Sequence, residues 1–182
     1  MWRNIFPARR LKQELQNKFL SSFSMSSSLK KDSSFKKISL KNIGKLKIGI
    51  AVSEWHPEVT EELFEGAEKI LLKNGISAKN IVRVNTPGSF ELPLAAQFLI
   101  KKKCDAVICL GCVIKGETDH YEFICSAVSK GIMYVSLSHN KPVAFGVLTT
   151  NNLEQALNRA GGKFRNKGEE AAEVVLKMLS HS

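Results

Sequence analysis

From residue 47 to its end, the chain repeats one pattern: a short apolar run followed by an amphipathic helical stretch. Apolar runs with β-branched residues predict strands at 48–52, 81–85 and 106–110, and further strands at 133–138 and 145–148. Helical spacing of apolar residues predicts helices at 58–73, 91–102, 119–130, 153–160 and 169–179. This alternation is typical of an α/β fold, in which right-handed crossovers place helices on both faces of a parallel sheet.

Residues 1–46 differ from the rest and form a basic extension rich in Ser and Lys. Residues 1–47 hold 12 Lys and Arg against two acidic residues, and residues 48–182 hold 15 of each sign, so the net charge of +10 arises in the extension. No sustained apolar period runs through it, which is typical of a disordered segment. A targeting peptide and a start at Met25 are the alternatives. The sequence thus predicts an extension at 1–46 and one domain at 47–182.

Charge and cysteine usage narrow the class of function. Balanced charge in the domain argues against a surface that tracks nucleic-acid phosphates, so no nucleic-acid partner is expected. No apolar run approaches the length of a membrane span. Cys109 and Cys112 lack a second closely spaced pair, and Cys104 adjoins the same apolar run, so we expect buried thiols rather than a zinc site. The domain should be cytoplasmic, with no metal and no membrane contact.

Four segments lie at the ends of predicted elements, at 87–93, 111–121, 145–150 and 159–168. Ligands of open parallel sheets bind at the carboxyl ends of strands, so the segments predict one composite pocket. His120 lies at a helix start, where backbone N–H groups suit an anion, and Arg159 and Lys167 supply positive charge. The combination indicates acid/base chemistry on a phosphorylated small molecule. A small four-stranded domain brings the last segment to the same edge most simply through a neighbouring subunit.

The same segments, taken with their flanks, resemble the 6,7-dimethyl-8-ribityllumazine synthase family (the riboflavin synthase beta-chain family). The matching motifs are VNTPGSFELP at 84–93, GCVIKGETDHY at 111–121, PVAFGVLTT at 142–150, RAGG at 159–162 and NKG at 166–168. The resemblance covers about residues 47–182. It implies a flavodoxin-like three-layer α/β/α sandwich with a four-stranded parallel sheet.

An activity follows from the resemblance. It implies a transferase that condenses 5-amino-6-(D-ribitylamino)uracil with 3,4-dihydroxy-2-butanone 4-phosphate, releasing phosphate and water, without a cofactor or metal. It also implies a homo-oligomer, either a pentamer or a sixty-subunit icosahedral shell, with active sites between subunits. Riboflavin synthase is a further candidate partner. Segments late in the chain would then complete the site of an adjacent subunit.

For the pyrimidine substrate, the resemblance implies a set of contacts from several loops. Trp55 would stack on the planar ring, whereas a core tryptophan is the alternative. The ribityl chain would be held by Ser89, Phe90 and Glu91. The ring would be bordered by Cys112, Val113 and Ile114, and closed by Phe145 from the neighbouring subunit. Plain packing is the alternative for the last two sets.

For the second substrate, the resemblance places the phosphate at Glu117 and Thr118, beside the following helix start. Arg159 would hold the phosphate oxygens through its planar guanidinium group, and Lys167 would assist, unless it is simply solvated. His120 is the expected proton-transfer residue, because an imidazole gives and accepts protons near neutral pH. The alternative for His120 is phosphate binding or helix capping.

One position departs from the family pattern. Relatives commonly have Asn after the stacking aromatic, whereas this chain has His56, which either keeps a hydrogen bond to the uracil or adds a titrating group. Two other functions stay open at this point: a non-catalytic phosphate-binding module of the same fold, and a shell-forming scaffold that has lost activity. The absence of the two common nucleotide-binding glycine motifs from the sequence weighs against the first.

Overall fold

The computed structural model describes residues 42–181. Their centre is a four-stranded, fully parallel sheet in the order β2-β1-β3-β4. The strands are β1 (Ile48–Ser53), β2 (Ile81–Thr86), β3 (Ala106–Ile114) and β4 (Val143–Thr150). The predicted extension lies, up to residue 41, outside the described residues. The expected α/β, flavodoxin-like sandwich is confirmed.

Within residues 42–181, five helices cover the sheet. They are α1 (Pro57–Asn74), α2 (Leu92–Lys101), α3 (His120–His139), α4 (Leu153–Arg159) and α5 (Lys167–Leu179). Short 3₁₀ turns lie at Ile43–Lys45, Ala78–Asn80 and Ser89–Glu91. Each strand leads into a helical segment at the same edge of the sheet, because the strands are parallel and every connection must cross back over a face.

Two apolar clusters, one on each face, hold the layers together. On one face α1 and α5 pack on β1 and β3, and Leu63, Ile50 and Leu176 are fully buried there. On the other face α2 and α3 pack on the sheet around Leu99 and Val107. All six residues of β1 are buried, which explains why its sequence is a continuous apolar run rather than an alternating one.

Two sequence predictions need correction. The strand predicted at 133–138 is wrong, because these residues continue α3 and bury Val135 against the sheet. Gly131 lies inside this helix, and a Cβ atom there would lie 2.8 Å from Cγ of Pro93 in α2, so the glycine permits close packing of the two helices. Strand β3 also runs four residues beyond its predicted end, because β4 pairs with it up to Ile114.

The cysteines lie largely in the core. Cys104, Cys109 and Cys112 are buried, as predicted, and Cys125 is half-buried. Burial raises the pKa of the Cys109 thiol to about 12. Within residues 42–181, no helix combines the length and the apolar character that crossing a membrane would require.

Candidate active site

A cleft of about 310 Å³ opens at the carboxyl edge of the sheet. It is lined by residues 55 and 56 after β1, residues 88–90 after β2, residues 112–114 at the end of β3, and residues 120 and 124 of α3. Three parallel strands end side by side here, which brings segments far apart in sequence into one wall. Seven of the residues that the sequence proposed line this cleft: Trp55, Ser89, Phe90, Cys112, Val113, Ile114 and His120.

The wall after β1 carries an exposed aromatic ring. Trp55 is 66% exposed, so the alternative of a core tryptophan is wrong. Its backbone N–H donates to Oγ of Ser53, at 3.3 Å. His56 follows at the start of α1, and the two rings meet edge to face with centroids 6.3 Å apart. An indole held open to the cleft can stack on a flat ligand.

The wall after β2 is a tight turn. The carboxylate Oε2 of Glu91 accepts a hydrogen bond from the backbone N–H of Gly88, at 3.0 Å, and the hydroxyl of Thr86 donates to the Gly88 carbonyl at 2.9 Å. These bonds hold Ser89 and Phe90 against the cleft. The hydroxyl of Ser89 is buried and has no hydrogen-bond partner within residues 42–181. A buried polar group of this kind favours a polar ligand as its partner.

The wall formed by β3 is apolar. Residues 112–114 were predicted to follow a strand, but they are its last residues, and their backbone pairs with β4. Burial raises the pKa of the Cys112 thiol to about 12, and the negative charge of Glu58 adds to the shift. The thiol therefore stays protonated near neutral pH and is a poor nucleophile. This wall supplies shape rather than chemistry.

The fourth wall is the beginning of α3. His120 is the first residue of this 20-residue helix, and its backbone N–H donates to Oγ1 of Thr118, at 3.4 Å. Ile124 lies one turn further on the same face and also lines the cleft. The positive end of the α3 helix dipole therefore lies at the cleft, next to the imidazole of His120. The placement of His120 at a helix start is as the sequence predicted.

Six proposed residues do not line the cleft of the single described chain. Three of them are close in sequence to its walls, namely Glu91, Glu117 and Thr118, and all three are exposed. The other three lie on later elements and are Phe145, Arg159 and Lys167. Their placement in an active site stays a prediction.

The three later residues have contacts of their own. Phe145 lies in the middle of the edge strand β4, opposite Cys109, and is 37% exposed. Arg159 ends α4, with its guanidinium carbon 5.3 Å from the centre of the Phe164 ring. Lys167 begins α5, and its ammonium group lies 2.9 Å from Oε2 of Glu170. None of the three residues lines the cleft of its own chain.

Sequence reasoning left three cleft residues, His56, Gly88 and Ile124, out of the proposed site. His56 had been noticed as a departure from the family pattern, with two alternative roles left open, and Gly88 lay in a matching motif without a role of its own. Ile124 was missed, although its position four residues after His120 was a usable signal, because such residues share a helix face.

Comparisons with known proteins identify the family of this chain. The family model for 6,7-dimethyl-8-ribityllumazine synthase matches residues 45–182. A protein of that name from Cytophaga hutchinsonii is 61% identical over 142 residues, which is 78% of this chain and 89% of the relative. Another of that name, from Parabacteroides distasonis, is 45% identical over 145 residues, 79% of this chain and 91% of the relative. A third, from Porphyromonas gingivalis, is 49% identical over 134 residues, 73% of this chain and 83% of the relative. The chain therefore belongs to the 6,7-dimethyl-8-ribityllumazine synthase family.

Proposed function

We propose that this chain is a transferase that condenses 5-amino-6-(D-ribitylamino)uracil with 3,4-dihydroxy-2-butanone 4-phosphate. The product is 6,7-dimethyl-8-ribityllumazine, an intermediate of riboflavin biosynthesis, and phosphate and water are released. The observation that carries the proposal is that the exposed indole of Trp55 and the imidazole of His120 line the same cleft. The chain also belongs to the family that is named for this activity. Neither a non-catalytic phosphate-binding module nor an inactive scaffold accounts for this pairing.

The pyrimidine would occupy the apolar part of the cleft. Stacking on Trp55 is worth roughly 1 kcal/mol beyond the area that it buries. The end of β3, at Cys112, Val113 and Ile114, offers a flat wall for the ring edge. The ribityl hydroxyls need several directional partners to replace lost hydration, and the buried hydroxyl of Ser89 is one such partner. Phe90 and Glu91 would hold the rest of the polyol.

The phosphate would lie at the start of α3. Residues 117 and 118 are exposed there, and the backbone N–H groups of a helix start favour an anion. The carboxylate of Glu117 must point away from that anion, because like charges repel. Arg159 and Lys167 would supply the positive charge that the single cleft lacks.

His120 would move the protons of the reaction. An amine of the pyrimidine attacks the ketone carbonyl, and loss of water gives a Schiff base. Removal of the proton from the carbon that carries the hydroxyl then expels phosphate from the next carbon and leaves an enol, which tautomerises to a ketone. The second amine attacks this carbonyl, and loss of water closes the ring. Each step needs a proton donor or acceptor beside the reacting atoms, which an imidazole provides near neutral pH.

The active site would lie between subunits of a homo-oligomer. Phe145, Arg159 and Lys167 have no place in the cleft of their own chain, so a neighbour would contribute them. The outer face of α3 supports such an assembly, because Phe123, Tyr134 and Leu137 are each about 70% exposed there. We propose a pentamer or a sixty-subunit shell built from pentamers, with riboflavin synthase as a further partner and the cytoplasm as the location. Buried, unpaired thiols fit a reducing compartment.

The activity is tested with the purified chain and both substrates. Formation of the lumazine chromophore above the rate of the mixed substrates alone is the expected result. Product formation at the uncatalysed rate, by folded protein, would reject the enzyme and leave the binding or scaffold functions.

The shared site is tested by mixing two inactive variants. His120→Ala and Arg159→Ala chains are co-expressed with different affinity tags, and complexes that carry both tags are isolated. If the two residues come from neighbouring subunits, about one quarter of the sites combine two intact halves, and activity returns to that fraction. Co-expression of two differently tagged His120→Ala chains is the control. Equal, negligible activity in both preparations would place the two residues in one chain's site.

A further inference from the structure

One buried side chain connects the two ends of the loop between α4 and α5. Arg159 ends α4 and Lys167 begins α5, so the two cations proposed for the phosphate stand at opposite ends of this loop. Asn166 is the last residue of the loop and is only 8% exposed. It takes no part in the steps given above.

The amide nitrogen of Asn166 reaches back across the loop. Nδ2 donates to the backbone carbonyl of Ala160 at 2.9 Å and to that of Glu62, on α1, at 2.8 Å. Ala160 directly follows Arg159 in the chain. The first bond therefore holds the backbone at the end of α4, and the second fastens it to α1.

The amide oxygen of the same side chain reaches forward. Oδ1 accepts a hydrogen bond from the N–H of Gly168 at 2.7 Å and another from the N–H of Glu169 at 3.3 Å, which caps the start of α5. Gly168 directly follows Lys167. Two donated and two accepted bonds use the full capacity of an amide group. One side chain thus links the backbone next to Arg159 with the backbone next to Lys167.

The surrounding fold is built to hold this side chain. A Cβ atom on Gly66, in α1, would lie 2.6 Å from Cγ of Asn166, so a side chain there would displace the amide. Arg165 adds a second anchor. Its guanidinium group contacts the carboxylate of Glu173, and its Nε lies 3.9 Å from Oε2 of Glu169, both on α5. Buried polar contacts therefore fix the loop where it joins α5.

Capping of α5 does not by itself require asparagine. A helix cap needs one side-chain acceptor, which serine supplies about equally well. The two bonds that Nδ2 donates lie outside the cap, because they end at Ala160 after α4 and at Glu62 in α1. They indicate a task other than starting the helix.

We infer that Asn166 is a positioning residue for the phosphorylated substrate. Its amide sets where Arg159 and Lys167 stand relative to each other, and therefore how both meet one phosphate group. Hydrogen bonds to phosphate weaken steeply when a donor is displaced, so the spacing of the two cations determines the affinity. The inference rests on the proposed function, which supplies the phosphate and the neighbouring subunit's cleft. The pyrimidine binds to other walls and is not affected.

Steady-state kinetics of the assembled protein, with each substrate varied in turn, tests this. Asn166→Ser keeps an acceptor for the start of α5 but loses the bonds to Ala160 and Glu62. The KM for the phosphorylated butanone is expected to rise about threefold to tenfold, and the KM for the pyrimidine to stay within about twofold. Asn166→Ala should give the same split and a lower melting temperature than Asn166→Ser, because it also loses the cap.

Asn74→Ser is the matched control. Asn74 ends α1 at the amino edge of the sheet, and its Nδ2 also donates to a backbone carbonyl, that of Ile70, at 2.8 Å. Both KM values of this variant should equal the parent's. Native mass and thermal melting show that each variant is assembled and folded.

A double variant tests whether Asn166 acts through Arg159. Asn166→Ser combined with Arg159→Ala should raise the KM for the phosphorylated butanone by less than the product of the two single factors. With the arginine gone, only the placement of Lys167 is left for Asn166 to affect.

Three outcomes overturn the inference. The first is a folded Asn166→Ser variant with the parent's KM for the phosphorylated butanone. The second is an equal rise in both KM values, since Asn166 would then support the fold and not the two cations. The third is a double variant whose factor equals the product of the single factors. Failure of the proposed function looks different, because the parent itself would then form no lumazine from the two substrates.

Discussion

Backbone position determines what three of the four histidines of this chain can do. His120 begins a helix at the cleft, His56 caps another helix in a left-handed conformation, and His139 ends the helix that His120 begins. The residue type is the same in all three, but the first two face the same cleft and the third binds a carbonyl of its own helix. The role of each histidine therefore depends on where its backbone lies, and each role can be tested by a single substitution.

His120→Ala is expected to lower kcat by about 10²- to 10⁴-fold, because the group that transfers protons is lost. The KM of each substrate should change much less, since stacking and phosphate contacts remain. Steady-state kinetics with each substrate varied in turn measures both effects, and His139→Ala serves as the control. A kcat within a few-fold of the parent would remove His120 from proton transfer.

Arg159→Ala should act on the other substrate. The KM for the phosphorylated butanone is expected to rise by at least tenfold, because a charge-assisted contact to phosphate is worth roughly 1.5–3 kcal/mol. The KM for the pyrimidine should stay within about twofold. An equal effect on both substrates would argue that Arg159 supports the fold and not the phosphate.

Gly168 lies in α5, where this helix packs against the backbone of α1. A Cβ atom there would lie 1.8 Å from the backbone oxygen of Leu63, so α5 could not keep its position on α1. Gly168→Ala is therefore expected to lower the free energy of unfolding by roughly 3 kcal/mol. Gly44→Ala is the control, since its added Cβ would make an ordinary 3.6 Å contact. Urea unfolding at one fixed protein concentration compares the two.

At the scale of elements, the end of α2 shows how a helix is stopped without glycine. Lys103 has a φ of 66°, and the N–H of Cys104 reaches back to the Leu99 carbonyl at 3.2 Å, which closes the helix end. Lys103→Gly should raise the free energy of unfolding by about 0.5–1 kcal/mol, because glycine adopts this conformation without strain. Lys102→Gly, next to it with a φ of −77°, should lower it by a similar amount. If both substitutions changed the free energy of unfolding in the same direction, the backbone conformation of Lys103 would not be the cause.

An ion pair ties α1 to the edge strand β2. The guanidinium of Arg83 donates to both carboxylate oxygens of Glu61, at 2.8 and 2.5 Å, and lies over the Phe64 ring at 4.4 Å. The hydrogen bonds from Arg83 lower the pKa of Glu61 below its ordinary value of 4.5. A depressed folded pKa stabilises the fold above the ordinary value, and the contribution is lost as the pH falls through the lower folded value.

Glu61→Gln should thus cost about 0.5 kcal/mol near pH 7, a small amount because the pair is half exposed. The difference from the parent should shrink as the pH falls below 4.5 and vanish once the carboxylate of the folded parent is protonated. Urea unfolding at a series of pH values measures it, with Glu65→Gln on the same helix as the control. A difference that persists at low pH would show that the charge of Glu61 is not its cause.

At the scale of the molecule, the proposed site would be completed by a neighbouring subunit. Phe123, Tyr134 and Leu137 expose apolar surface along α3, so we expect the protein to assemble. Native mass measurement should give a pentamer or a multiple of it, and Tyr134→Glu with Leu137→Glu should reduce the mass and the activity together. Lys177→Glu, an exposed charge reversal on α5, should change neither. A fully active monomer would refute the shared site.

The sequence by itself determined the layers of this protein. Buried parallel strands must be continuous apolar runs, and helices that cover them must show one apolar face, so both can be read from residue order. The motifs then placed His120 at a helix start and Trp55 beside a strand end. Only the tertiary structure decided matters that depend on distant partners. Pro93 explains Gly131 within an unbroken helix, β4 extends β3 to Ile114, and parallel strand ends bring His120 into the same cleft as Trp55. A local sequence pattern does not show which distant residues a side chain will contact in the folded protein.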